Sequence, residues 1–293
     1  RNFVERSIPC LGIDPAPAPV RAARERGVPT WNEFFDRAVA ERVVRTAGHA
    51  DVVVANNVLA HVADLNGFVD GIAALLAESG VASIEVPYVA DLVDHVEFDT
   101  IYHQHLCYFS VGSLDQLFAA HGLVLRAVRA LSIHGGSLRL EVGREAGDRA
   151  EVNAWIERER QRGLDGLGFY ADFSRRVAAL RQDLRDLLSQ LKSAGGRVVG
   201  YGAAAKAATL LGFAGIGGET LDYVVDRNPF KHGRFLGGNH LAIRPVEVLE
   251  ADRPDVVLIL AWNFADEILA QLDGLRRRGT RFVLPIPEVR VVD

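Results

Sequence analysis

The sequence predicts an α/β protein built from two doubly wound parallel-sheet domains joined by a helical connector, and three observations predict it. Short apolar runs alternate with helical patterns as far as residue 87. A charge-rich amphipathic stretch occupies 146–194, and a second strand–helix alternation follows it. The expected domains are therefore 1–145 and 195–293, with 146–194 as the connector.

The first apolar run, Ser7 to Ile13, ends in Asp14 and is followed by Pro15, Pro17 and a helix pattern over Ala18 to Arg26. A carboxylate at a strand end suits the ribose hydroxyls of a nucleotide-like cofactor, and it equally suits capping the next helix. Asp51 to Asn57 reads as a second strand, about Asp64 to Glu78 as a helix, and Gly80 to Pro87 as a third strand. This spacing implies parallel pairing with ligands at the strand carboxyl ends. From Asp91 to Tyr108 the pattern gives way to a polar stretch rich in His and acids. A helix over Val111 to Ala120 and two alternating segments, Leu123 to Ala130 and Gly136 to Val142, read as a closing antiparallel pair. In the connector, Phe173, Val177, Leu180, Leu184 and Leu187 recur at helical spacing. The second domain offers strands at Arg197 to Tyr201, Leu221 to Asp226, Asp255 to Ala261 and Arg281 to Pro285.

Composition narrows the function. The 293 residues carry a net charge of −5, which argues against a nucleic-acid partner; the Arg276-Arg277-Arg278 run is too short for a basic face. Two cysteines, Cys10 and Cys107, make neither a disulfide framework nor a four-cysteine zinc site, and reduced thiols fit a cytoplasmic location. The apolar run Val256 to Trp262 is too short to span a membrane, and Arg1 to Ser7 has no signal-peptide pattern. Methionine is absent, so the chain reads as a processed protein or a piece of one.

Two constellations carry chemistry. Gly200-x-Gly202-x-x-Ala205, with Lys206 next to it and Asp226 at the following strand end, reads either as a tight turn without a ligand or, favoured by the lysine, as a phosphate-cradling turn that would serve NAD or a nucleoside-diphosphate sugar alike. Tyr102-His103-Gln104-His105 is the other. If extended, it would point Tyr102 and Gln104 one way and His103 and His105 the other. With His95, Glu97 and Asp99 nearby, a metal site lacks an evident third ligand, which leaves acid–base work by an imidazole or a structural role. Asn57 and His61, four residues apart beyond the second strand, would share a cavity there.

Three stretches, Ala55 to Val62, Phe98 to His105 and Gly200 to Lys206, closely resemble the nucleotide-sugar C-methyltransferases, in the right order and over almost the whole chain. The resemblance implies S-adenosylmethionine in the first domain, at strand ends marked by Asp14, Asn56 and Pro87. It implies the sugar's nucleoside diphosphate in the second, held by Gly200, Tyr201, Gly202, Lys206, Asp226 and Asn228. His105 would be the general base, with Tyr102, Gln104, Asn57 and His61 around the sugar, and no metal is called for. Two departures stand out. Gln104 replaces a usual Glu, which predicts a hydroxyl rather than an amino group on the sugar at that point. The family's cysteine-clustered zinc module and first glycine turn are not in this chain, which resembles a fragment of the enzyme; zinc would enter only with such a module. The competing readings are a nicotinamide-dependent oxidoreductase or epimerase and a non-catalytic nucleotide-sugar binding module.

Overall fold

The computed structural model describes residues 2–145 and 147–293, so Arg1 and Ala146, where the first domain and the connector were predicted to begin, lie outside the described residues. The chain forms two compact units. One comprises Arg1–Val86, Val111–Arg129 and Leu138–Arg158; the other comprises Pro87–Ser110, Ala130–Ser137 and Glu159–Asp293.

In the first unit, β1 (Gly12–Ile13) and β2 (Thr30–Trp31) pair in parallel around a helix at Pro17–Glu25, with proline in its first turn where a missing N–H costs nothing. β3 (Ala50–Asn56) and β4 (Leu76–Pro87) are parallel, and β5 (Val124–Leu131) and β6 (Ser137–Gly143) complete a sheet of order β3-β4-β6-β5. Helices Arg37–Ala47 and Leu65–Leu75 pack on each other. Each is capped by an aspartate: Asp36 accepts the Val39 N–H at 2.8 Å and Asp64 the Gly67 N–H at 2.9 Å. Their Ala40, Val43 and Leu75 bury against Ile13, Trp31 and Val53, so both small sheets share one apolar cluster. The sequence predicts helix as far as Glu78, but the strand starts at Leu76. The register shifts between Ala50 and Val52, and Gly80 sits where a Cβ would lie 2.9 Å from the Ala50 carbonyl oxygen. A glycine at an irregularity lets two backbones approach closely.

In the second unit, the strands are β7 (Val198–Tyr201), β8 (Val224–Val225), β9 (Ile243–Arg244), β10 (Val256–Ile259), β11 (Arg281–Leu284) and β12 (Arg290–Val292). They form one sheet of order β12-β11-β10-β7-β8-β9, parallel except for β12. From β7 the chain winds outward through β8 and β9, then returns to the other side of β7 as β10 and β11. This is a doubly wound, Rossmann-type order, and its reversal between β7 and β10 creates a crevice at their carboxyl ends. The sequence reading found four of these strands. β9 and β12 have two and three residues, too few to show a period. The long helix Phe173–Ser193 buries Val177, Leu180, Leu184, Leu188 and Leu191 on this sheet beside Val198 and Val256.

Candidate active site

The His-rich stretch is a turn rather than an extended segment, which corrects the alternating-face expectation. A single 3₁₀ turn, Phe98–Thr100, is followed by a second tight turn in which the His105 N–H bonds the Tyr102 carbonyl at 2.9 Å. Residues three apart then meet: the Tyr102 and His105 rings lie 4.3 Å apart, centroid to centroid. The Thr100 carbonyl oxygen is 2.7 Å from His105 Nδ1. A carbonyl only accepts, so Nδ1 carries the proton and the neutral ring keeps its lone pair on Nε2. The Tyr102 hydroxyl, 3.1 Å away, donates to that lone pair. Burial, then the Asp99 charge, raises the Tyr102 pKa, so its hydroxyl keeps its proton. His103 and Gln104 lie at the exposed outside of the turn.

Beneath this turn is a buried charge cluster. Asp99 is 0 % exposed, and its Oδ2 accepts the Trp262 indole N–H at 2.7 Å. Lys206 Nζ stands 4.0 Å from the centroid of the Trp262 ring and donates to Asn263 Oδ1. Burial pushes Asp99 up to about 6 against the opposing pull of Lys206, and burial, then Asp99, pushes Glu97 up to about 8. Burial lowers Lys206 to about 8 although both acids oppose it. At neutral pH the cluster therefore holds ionised Asp99, largely protonated Lys206 and largely protonated Glu97. Glu97 fits there because its neighbour is Gly135, at φ +94, where any Cβ would overlap the carboxylate.

Lys206 belongs to the glycine turn. β7 leads through Gly202, at φ +102 and with a would-be Cβ 2.7 Å from the Ala261 Cβ, into helix Ala205–Ala214. Only glycine meets both demands. Asp226 closes the turn from below: Oδ2 accepts the Ala203 N–H at 2.8 Å and Lys231 Nζ at 3.0 Å, and Oδ1 accepts the Asn228 N–H at 2.8 Å. Burial would raise this carboxyl, but those hydrogen bonds and Lys231 hold it below the usual range. Lys231 also bonds the Ala203 carbonyl at 3.0 Å, so it reaches the turn itself. Asn228 Oδ1 caps the short turn Pro229–Lys231 by accepting the Phe230 N–H at 3.1 Å. Tyr201 is buried, with its hydroxyl donating to Gln271 Oε1 at 2.9 Å. The structure thus brings together Gly200, Gly202, Lys206 and Asp226 around one turn.

In the first unit, Asp14 follows β1. Its Oδ1 accepts the Ala16 N–H at 2.7 Å, and its carbonyl accepts from Asn32 at 3.1 Å. Asn56 ends β3 exposed, and Asn57 follows at φ +53 with its N–H on the Glu85 carbonyl at 2.9 Å. His61, also exposed, closes the turn Leu59–His61. Pro87 ends β4, and it begins the first stretch of the second unit. Sequence reasoning passed over Thr100, Trp262, Asn263 and Lys231. Thr100 acts through its backbone carbonyl, a group every residue has, so no sequence signal could mark it. Lys231 could have been found as a cation five residues beyond a strand-end acid.

Residues 132–287 match the family model described as the C-methyltransferase C-terminal domain, and residues 1–128 match a methyltransferase domain. Over 285 residues the chain is 35 % identical to the C-methyltransferase NovU of Streptomyces niveus, a match covering 96 % of this chain and 68 % of that protein. This chain belongs to the C-methyltransferases. Among solved structures, the C-methyltransferase is similar to a complex of the Haloferax volcanii Trm112 activator with a putative methyltransferase, at 17 % identity and TM-score 0.37, over 46 % of this chain and 72 % of that one. It is also similar to magnesium protoporphyrin IX methyltransferase of Synechocystis PCC 6803, at 12 % identity and TM-score 0.38, over 49 % of this chain and 68 % of that one. Membership of the family makes this a methyltransferase that uses S-adenosylmethionine. The donor set in the first unit fits the cofactor: a half-buried carboxylate and a polar amide stand at the carboxyl ends of parallel strands. Among the described residues no helix is long and apolar enough to cross a membrane.

Proposed function

We propose that this C-methyltransferase methylates the carbon next to the ketone of a nucleoside-diphosphate keto-deoxysugar in the cytoplasm, with His105 as the general base. The observation that carries the reading is the fixed tautomer of His105: Thr100 holds Nδ1 at 2.7 Å, leaving Nε2 as the basic nitrogen. A carbon next to a ketone becomes nucleophilic only when its proton leaves, and an imidazole of ordinary pKa near 6.5 is suited to take it at neutral pH. As Nε2 takes the substrate proton, the Tyr102 hydroxyl is released from it and turns to donate to the developing enolate oxygen. Gly200 and Gly202 allow a diphosphate to approach the turn, with Lys206 and Lys231 supplying cations and Asp226 and Asn228 fixing the loop that carries Lys231. Tyr201 supports the turn from the core. Asp14, Asn56 and Pro87 would hold S-adenosylmethionine, which supplies an electrophilic methyl group.

Gln104 offers a neutral amide, so the reading includes a hydroxyl on the sugar where an amino group would call for a carboxylate. The test is calorimetric titration followed by turnover. S-adenosylhomocysteine and a thymidine-diphosphate keto-deoxysugar should each bind without competing, and the product should carry one new C-methyl group that His105→Ala does not form. Mutual exclusion of the two ligands, or an unchanged product from His105→Ala, defeats the proposal.

A further inference from the structure

Asp99 has no part in the chemistry above, yet it is the most completely enclosed charge of the second unit, at 0 % exposure. Burying a carboxylate costs several kcal/mol, and an apolar residue of similar size would serve packing at least as well. Its position therefore calls for a reason beyond cohesion. Asp99 lies in the turn Phe98–Thr100, which packs against helix Ala205–Ala214 of the glycine turn, with the Phe98 and Phe213 rings 5.0 Å apart. Its Oδ2 takes the indole N–H of Trp262, from the turn that follows β10 at the sheet reversal. Lys206 supports the same indole from its face. Thr100 follows Asp99 in the same turn, its N–H donating to the Glu97 carbonyl at 3.1 Å. The Thr100 hydroxyl donates to the Glu97 carbonyl at 2.7 Å, and the Thr100 carbonyl bonds His105 Nδ1. Trp262, Asp99, the Thr100 peptide and His105 therefore form one connected series.

We infer that Asp99 is a positioning residue for His105: anchored by the Trp262 indole, it fixes the Thr100 peptide whose carbonyl sets the tautomer and direction of the imidazole. The inference rests on the proposed role of His105 as base. Asp99 is closed to substrate and acts only through its neighbours. Trp262 comes from the nucleotide side of the same unit, so the base is aligned by the element that borders the diphosphate turn.

The proton-abstraction step can be read alone, as deuterium entering a thymidine-diphosphate keto-deoxysugar in heavy water with S-adenosylhomocysteine in place of the methyl donor. Asp99→Ala and Trp262→Phe should each slow this exchange and kcat by about 10–100-fold, the scale set by small misplacements of a reacting group, with KM for the sugar nucleotide unchanged. Asp99→Asn keeps an oxygen acceptor for the indole and should recover most of the rate. Thermal melts and sugar-nucleotide titration of each variant normalise the rates to folded protein; if Asp99→Ala fails to fold, Trp262→Phe decides. Wild-type exchange per folded molecule in these variants, with His105→Ala inactive, overturns the inference and leaves the base assignment standing. Wild-type exchange in His105→Ala overturns the base assignment and the inference with it.

Discussion

Two strands with almost the same sequence character end up in opposite settings. Val52, Val53 and Val54 of β3 and Val256, Val257 and Leu258 of β10 both read as apolar strands of a parallel sheet, yet Val52 is 59 % and Val54 50 % exposed while all of β10 is buried. β10 lies between β7 and β11 with helices on both faces of its sheet, whereas β3 is the edge strand of its sheet. An apolar run specifies a strand, but neighbours decide how much of it leaves water. The same contrast extends to the candidate sites. Asn56 and His61 follow β3 in exposed positions, while Asp99, Trp262 and Lys206 meet at the interior of the second unit.

The comparison is most easily broken by activity. His105→Ala should lower kcat by about 10²–10⁴-fold while sugar-nucleotide affinity changes little, because general-base removal acts on the chemical step. Steady-state kinetics beside a titration measure this, and a parallel loss of affinity would move His105 from chemistry to binding. Tyr102→Phe removes the donor that turns to the enolate oxygen and should cost about 10²–10³-fold in kcat.

Stability sharpens the contrast between the strands. Val257→Thr buries a hydroxyl in β10 and should cost about 1–3 kcal/mol, whereas Val54→Thr on the exposed face of β3 should stay within about 0.5 kcal/mol in urea unfolding. Equal costs would mean that β3 is covered in solution. A smaller effect separates the buried acid from ordinary surface carboxylates. Burial holds Glu97 up at about 8 against a usual 4.5, so between those values the folded state keeps a proton that the unfolded state has lost. Stability then falls as pH rises through that window. Glu97→Gln has no proton to lose, so its Tm advantage over the wild type should grow from pH 5 to pH 8. A constant difference across this range would show that Glu97 is not held protonated by its surroundings. Subtlest is Gln104→Glu, expected to shift preference toward an amino-bearing sugar in competition assays without changing Tm.

Much of the fold could be read from the chain because its signals are local. Asp64 marks a helix start, Gly202 marks a turn that no other residue could make, and the apolar runs mark most strands of the second unit. The site was legible as a set of residue types, but its arrangement was not. An extended reading of residues 102–105 separates Tyr102 from His105, and only the two consecutive turns bring the rings together. Asp226 was legible as a strand-end acid, while its closure by Lys231 depends on how the following loop folds back.

The sequence by itself determined the alternation of strands and helices, the glycine turn and the chemical types gathered in its motifs, because periodicity, caps and backbone freedom act over a few residues. Tertiary structure decided which valines leave water and which carboxylate loses solvent. Those outcomes depend on partners far apart in the chain, as Asp99 and Trp262 are at a separation of 163 residues, and on desolvation that exists only once the sheet and its helices have closed around them.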